Sequence, residues 1–239
     1  MKDFRTGEVL LMNKPLTWTS FQVVNKMKWL IKNHPSLLLD GKKIQPKIGH
    51  AGTLDPLATG LLIVCTGKQT KNIESYQAQE KEYTGTFYIG ATTPCYDMEK
   101  PIDKHYPTEH ITDELIEETT KQFTGTIQQT PPLFSAIKIN GKRAYDIARA
   151  GETAEIKSKE ITISVFEITR IALPEVDFRV ICSKGTYIRS LARDFGEALL
   201  SGAHLTALCR TRIGEYKLSD AMDIEEFEAG LKAEITSNI

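Results

Sequence analysis

Long apolar runs are missing from this chain. The longest, Leu61-Leu62-Ile63-Val64-Cys65, has five residues, against the roughly twenty of a membrane-spanning helix. The opening Met-Lys-Asp-Phe-Arg-Thr-Gly-Glu contains no apolar signal region, so no membrane association and a cytoplasmic location are expected. Cysteine is scarce: Cys65, Cys95, Cys182 and Cys209 lie 30, 87 and 27 positions apart. That is neither a disulfide framework nor metal-ligand spacing, and reduced thiols are expected. The five histidines form no H-x-x-x-H pair, so no metal site is expected. G-x-G-x-x-G and Walker loops are also absent, which argues against both common nucleotide-binding sheets.

What remains is an ordinary globular composition, 41% hydrophobic and 26% charged over 239 residues, enough for one large domain or two small ones. The net charge of −1 hides a strong segregation. Residues 1–50 carry nine Lys/Arg against three Asp/Glu, and residues 138–149 and 184–212 each carry a net +3. Acid collects at 97–120, with eight acidic and two basic residues, and at 215–239, with seven and two. One basic face on a near-neutral protein attracts polyanions; charge alone is equally consistent with solvated helix faces.

Hydrophobic periodicity predicts a strand over 8–12 and a helix from Thr19 or Ser20 to about Lys32, with Phe21, Val24, Met27, Leu30 and Ile31 at helical spacing. Residues 33–47 read as a polar connection, 49–60 as a turn-rich loop and 61–65 as a buried strand. Helix is expected over 68–77, 111–123, 143–150, 187–200 and 224–231, and strand over 82–89, 126–129, 136–139, 161–171 and 176–182, with a tight turn at Asn140-Gly141. The mixture without a regular strand–helix–strand rhythm predicts an α+β fold with a mixed, mostly antiparallel central sheet flanked by helices.

The densest stretch is Gly49-His50-Ala51-Gly52-Thr53-Leu54-Asp55-Pro56-Leu57-Ala58-Thr59-Gly60. Three glycines and a proline prescribe a special backbone path, with a single carboxylate in its middle and an apolar strand after it. A carboxylate so held is a candidate nucleophile or general base; the plainer alternative is a turn cap before Pro56. This loop resembles, at every fixed position, the G-H-x-G-x-L-D-P-x-A-x-G motif of the TruB family of tRNA pseudouridine synthases. Further segments agree in order: Asn13-Lys14-Pro15 with Thr19-Ser20, Lys81-Glu82-Tyr83, Cys182-Ser183-Lys184-Gly185-Thr186-Tyr187-Ile188-Arg189, and Gly202-Ala203-His204-Leu205 with Arg210-Thr211-Arg212. The resemblance spans roughly residues 8–220.

The resemblance implies a pseudouridine synthase-like fold and conversion of one uridine, at position 55 in the T loop of tRNA, to pseudouridine, with no cofactor; a monomer is expected. It makes Asp55 the nucleophile, attacking C1′ or C6. Arg189 is expected against it and Tyr83 is the candidate late base. Tyr187 and Leu208 are expected to line the base pocket, His50 to stack into the RNA, and Lys14 to brace the loop. Each has a bland alternative: a strand-filling Tyr83, a core Leu208, a helix-surface Arg189. Residues 131–151, with Phe134, Lys138, Lys142, Arg143 and Tyr145, resemble the family's RNA-clamping insertion, which would grip the T arm. One catalytic domain over 1–239 is expected, without a complete C-terminal domain of the PUA type. Cys209 stands where relatives usually have arginine. The connection 33–46 is longer than usual and has no assigned role. A hydrolase would need a second carboxylate beside Asp55, and the motif has none.

Overall fold

In the computed structural model, residues 2–135, 137–139, 141–144, 147, 150 and 156–236 are described. In chain order the elements begin with β1 (Val9–Lys14), α1 (Ser20–Ile31), β2 (Leu38–Leu39), β3 (Lys42–Lys43), β4 (Ile48–Ala51), β5 (Ala58–Thr66) and α2 (Ile73–Ala78). They continue with β6 (Lys81–Ile89), β7 (Ala91–Thr92), β8 (Lys104–His105), α3 (Asp113–Thr120), β9 (Gly125–Gln129), β10 (Lys138–Ile139) and β11 (Lys142–Arg143). The last are β12 (Lys159–Ala172), β13 (Glu175–Cys182), α4 (Ile188–Ala198), β14 (Ala203–Ile213), β15 (Tyr216–Lys217) and α5 (Ile224–Thr236). Contacts divide the chain into two compact units, Met1–Lys81 with Cys209–Ile239, and Glu82–Leu208.

In the first unit the strand order is β1-β5-β14, with β4 also on β5. β5 pairs antiparallel with β1, Met12 opposite Leu62, and with β4, His50 opposite Val64. A parallel bridge joins Met12 to Met222. The run 61–65 is uninterrupted because both faces of β5 are covered. Leu62 and Val64 join Leu10, Met12, Val23, Met27 and Phe227 in one core. Leu61, Ile63 and Cys65 join Ala51 and Ile213 in another. α1 starts where expected: Thr19 and Gln22 form a reciprocal capping box. Each apolar side chain that α1 buries contributes roughly 1.5–3 kcal/mol.

In the second unit the order is β14-β6-β13-β12-β9, and β12 is antiparallel to both β13 and β9. Its core is aromatic. Phe87 stacks on Phe178 with centroids 4.1 Å apart, and Phe195 of α4 packs 5.3 Å from Phe166. Gly85 permits the close passage of β14, since a Cβ there would stand 2.4 Å from the Ala207 carbonyl oxygen.

The α+β architecture with a mixed, mostly antiparallel sheet is as expected. Three local readings need correction. The supposed loop 49–60 contains β4 and the start of β5, leaving only residues 52–57 as connection. Its glycines serve close packing as much as turning. Residues 203–213 were given no element and form an eleven-residue strand; the buried polar residues His204 and Arg210 disguise its apolar face. Within 33–47 a 3-10 turn, Pro35–Leu37, leads into a β2–β3 hairpin. β10 and β11 pair around the expected turn, but Asn140 itself lies outside the described residues.

Gly60 combines φ +102° with backbone contact to β14: a Cβ would lie 2.4 Å from the Arg210 carbonyl oxygen and 2.8 Å from its nitrogen. Gly60→Ala should therefore cost about 2 kcal/mol or more in urea denaturation. Gly41→Ala, also at positive φ but with nothing within 4 Å, should cost about 1 kcal/mol. Equal losses would show that the close approach is unimportant.

Candidate active site

Asp55 sits half-buried on the 52–57 connection of the first unit, and the peptide groups around it are fastened one by one. Its own carbonyl accepts the Ala58 amide at 3.1 Å. On the N-terminal side, the Leu54 amide donates to Ser20 Oγ at 2.9 Å and that hydroxyl donates back to the Leu54 carbonyl at 3.3 Å. On the C-terminal side, the Pro56 carbonyl accepts the Thr17 amide at 2.8 Å and Lys14 Nζ at 3.3 Å. Further out, Arg210 donates from Nε to the Leu61 carbonyl at 2.8 Å and from Nη2 to the Gly52 carbonyl at 3.0 Å. Gly52 has φ +92°, a conformation that suits glycine.

Lys14 and Arg210 are buried cations. Lys14 Nζ also donates to the carbonyls of Pro15 and Trp18. Burial pushes its pKa from 10.5 down to about 8; the Asp55 carboxylate works in the opposite direction and Arg210 adds to the depression. Lys14 is thus a buried ammonium held on main-chain carbonyls, within the field of the Asp55 carboxylate. His50 is half-buried on β4. Burial, and then the Arg210 charge, hold its pKa below the usual imidazole value, while the Gly52 backbone opposes them. Nδ1 of this ring is buried and has no hydrogen-bond partner within reach among the described residues.

The second unit holds the other expected residues. Arg189 is not the surface residue of the bland reading. It lies in the first turn of α4 and is 5% exposed. Its Nη1 donates to the Cys95 carbonyl at 3.3 Å and Nη2 to the Phe134 carbonyl at 2.9 Å. Its Nε lies 3.7 Å from Asp97 Oδ2. Asp97 is also 5% exposed, and its other oxygen accepts the Glu99 amide at 2.9 Å. Thr93 Oγ1 and the Asp97 carbonyl, 2.6 Å apart, close that loop.

Tyr187 precedes α4 and is clasped by the buried Gln129. Its amide donates to Oε1 at 2.8 Å and its carbonyl accepts from Nε2 at 3.1 Å. One face of its ring carries Lys159 Nζ, 4.8 Å from the centroid. Tyr83 is buried on β6, and Leu208 is partly exposed on the adjacent β14. His50, Lys14 and Asp55 thus belong to the first unit, and Tyr83, Tyr187, Arg189 and Leu208 to the second. Lys142 and Arg143 pair through their backbones in β11; their side chains, and all of Tyr145, lie outside the described residues.

Asp97, Gln129 and the grip of Ser20 escaped the sequence reading. Asp97 stands in an acidic stretch that looks solvated, and Gln129 ends an unremarkable strand. Ser20 and Arg210 were quoted within motifs, but their hold on main-chain carbonyls leaves no trace in residue spacing.

Two family models match adjoining stretches: the TruB family pseudouridylate synthase N-terminal domain over residues 41–188, and the tRNA pseudouridylate synthase B C-terminal domain over 189–236. The chain is 63% identical to the tRNA pseudouridine synthase B of Flavobacterium johnsoniae, covering 97% of this chain and 99% of that protein. It is 57% identical to that of Parabacteroides distasonis, covering 98% and 97%. Among solved structures, a chain of a Cbf5-Nop10-Gar1 complex superimposes with a TM-score of 0.74 at 27% identity, over 99% of this chain and 58% of that one. A second such fold, in an H/ACA RNP bound to a substrate RNA containing 2′-deoxyuridine, gives 0.70 at 24% identity, over 99% and 57%. Motif, fold and identity over nearly the full length converge, and the chain belongs to the TruB family of pseudouridylate synthases.

Proposed function

We propose that the chain isomerises a uridine of tRNA to pseudouridine, at position 55 of the T loop, with Asp55 as the nucleophile. The observation that carries the reading is the fastening of Leu54, Asp55 and Pro56 to fixed partners, together with high identity to proteins named tRNA pseudouridine synthase B. A nucleophile held by its own main chain needs no reorganisation before attack.

The reaction is an isomerisation. The N1–C1′ bond breaks, the uracil turns, and a C5–C1′ bond forms; C5 gives up its proton and N1 gains one. Asp55 attacks C1′ or C6 as the first covalent step and is released at the end. Arg189 is the proposed counter-charge that keeps this carboxylate ionised, and Tyr83 the group that takes the C5 proton. Tyr187 and Leu208 flank the base. A stacked uridine must first leave the T loop, at a cost of a few kcal/mol. His50, an imidazole whose pKa is held below its usual value by burial, is suited to stack where the base has left. The segment 131–151, with Lys142 and Arg143, would clamp the T arm through phosphate and stacking contacts.

Asp55→Asn should abolish pseudouridine formation, scored by carbodiimide-blocked primer extension on tRNA, while tRNA affinity stays within about tenfold; turnover near the wild-type rate would remove Asp55 as nucleophile. Asp97→Asn, which takes the buried counter-charge from Arg189, should lower kcat at least about tenfold and leave the Kd for tRNA within about threefold. An unchanged kcat would make Asp97 merely structural.

Lys14 gives a pH test. Its pKa falls on folding from 10.5 to about 8, so between those values the unfolded chain binds more protons and Lys14 contributes stability that rises with pH. Below about pH 8 both states are charged and the burial penalty is fully felt. Relative to Lys14→Met, the wild type should gain stability from pH 7.5 to pH 10 in urea denaturation; a flat difference would contradict the low pKa.

A further inference from the structure

The connection 33–46 builds a wall of a cavity of about 220 Å³ in the first unit. Leu37 and Ile44 from this connection meet the buried Phe4 to give an apolar floor. Arg5, Lys47, Lys68 and Lys71 stand around it. No carboxylate lines it.

The walls are set by main-chain ties. The Ile44 amide donates to the Leu37 carbonyl at 2.8 Å, Gly67 to Lys47 at 2.9 Å, and Lys68 to Thr6 at 3.0 Å. The Phe4 amide donates to Ser36 Oγ at 3.2 Å, and the Phe4 ring packs edge-on to His34 with centroids 4.8 Å apart. A Cβ on Gly67 would lie 2.3 Å from the Arg5 carbonyl oxygen, so the N-terminal segment and the turn after β5 are in direct contact. Three separate stretches of chain are thus locked together with four cations at their junction.

Those cations form no close ion pair among the described residues. Elsewhere in this unit Lys26 and Lys232 pair with Glu228, and Arg212 with Glu80. Among the described residues, no ion pair within 4.0 Å involves Arg5, Lys47, Lys68 or Lys71. Arg5 lies within the field of the Asp3 carboxylate, whereas Lys47, Lys68 and Lys71 line one cavity with no carboxylate in ion-pair reach among the described residues; like charges so placed repel, and an anion relieves the repulsion. The pairing of cations with an apolar floor fits a nucleotide unit, phosphate on the charges and ribose or base on the floor.

We propose that this cavity is a second RNA contact, which takes the phosphodiester backbone of the tRNA outside the modified loop, with the 33–46 connection as its wall. This rests on the tRNA reading above. The test compares tRNA binding by wild type and by a Lys47→Gln, Lys68→Gln, Lys71→Gln triple variant across a salt series. A control variant, Lys28→Gln with Lys42→Gln, removes exposed cations of the same basic region that do not line the cavity.

The triple variant should bind tRNA at least tenfold more weakly at low salt, and its log K against log salt slope should be shallower by about two. Its kcat at saturating tRNA and its urea midpoint should be unchanged, and the control should lose less than threefold. An unchanged salt slope in the triple variant, or an equal loss in the control, would overturn the proposal. So would inorganic phosphate that binds the wild-type cavity at millimolar concentration while tRNA affinity ignores the three lysines, since the site would then serve a free anion. Should wild type bind tRNA but form no pseudouridine, the catalytic reading fails while the salt comparison still decides the cavity.

Discussion

The first unit turns on a bargain between two buried cations and one short connection. Lys14 and Arg210 have no exposed surface to speak of, and a buried charge is tolerated only where polar groups replace water. The groups that do so are main-chain carbonyls, and Pro56, Gly52 and Leu61 supply three of them. The carbonyls in turn are displayed because residues 52–57 follow a turn with a glycine at positive φ. Neither side of the arrangement is stable alone. The cations need the connection's oxygens, and the connection needs the cations to keep Asp55 where it stands.

The second unit repeats the logic with different parts. Arg189 is buried and is met by the carbonyls of Cys95 and Phe134 and by the buried Asp97. Gln129 imitates a strand partner for Tyr187, offering one acceptor and one donor from a single amide. In both units the ionised or aromatic groups of interest are oriented through the backbone, and the aromatic and aliphatic cores beneath keep those backbones from shifting.

Much of this was legible in the chain. The covered strand 61–65 announced itself by its apolar run, and α1 by helical spacing and a capping residue at Thr19 or Ser20. The candidate nucleophile stood out through the resemblance of residues 49–60 to the TruB motif; without it, a lone carboxylate before Pro56 reads as a turn cap. β14 was not legible, because His204 and Arg210 are buried for their hydrogen bonds and break the apolar alternation that marks a strand. Asp97 was not legible either: its acidic neighbours suggest a solvated surface, and only the fold shows it turned inward to Arg189. The 33–46 connection looked like filler, yet its Leu37 and Ile44 become a floor only when the N-terminal segment arrives beside them.

The atoms gripped around Asp55 are peptide oxygens and nitrogens of Gly52, Leu54, Asp55 and Pro56, which nearly every amino acid possesses. Side chains at Thr53 and Leu57 are not among the handles. A change of identity there leaves the grips in place, whereas losing one long basic side chain lets go of several peptide groups at once. Mutational tolerance should thus be inverted from the usual picture of a catalytic turn, lenient within the turn at its unmarked positions and strict at distant points of the chain.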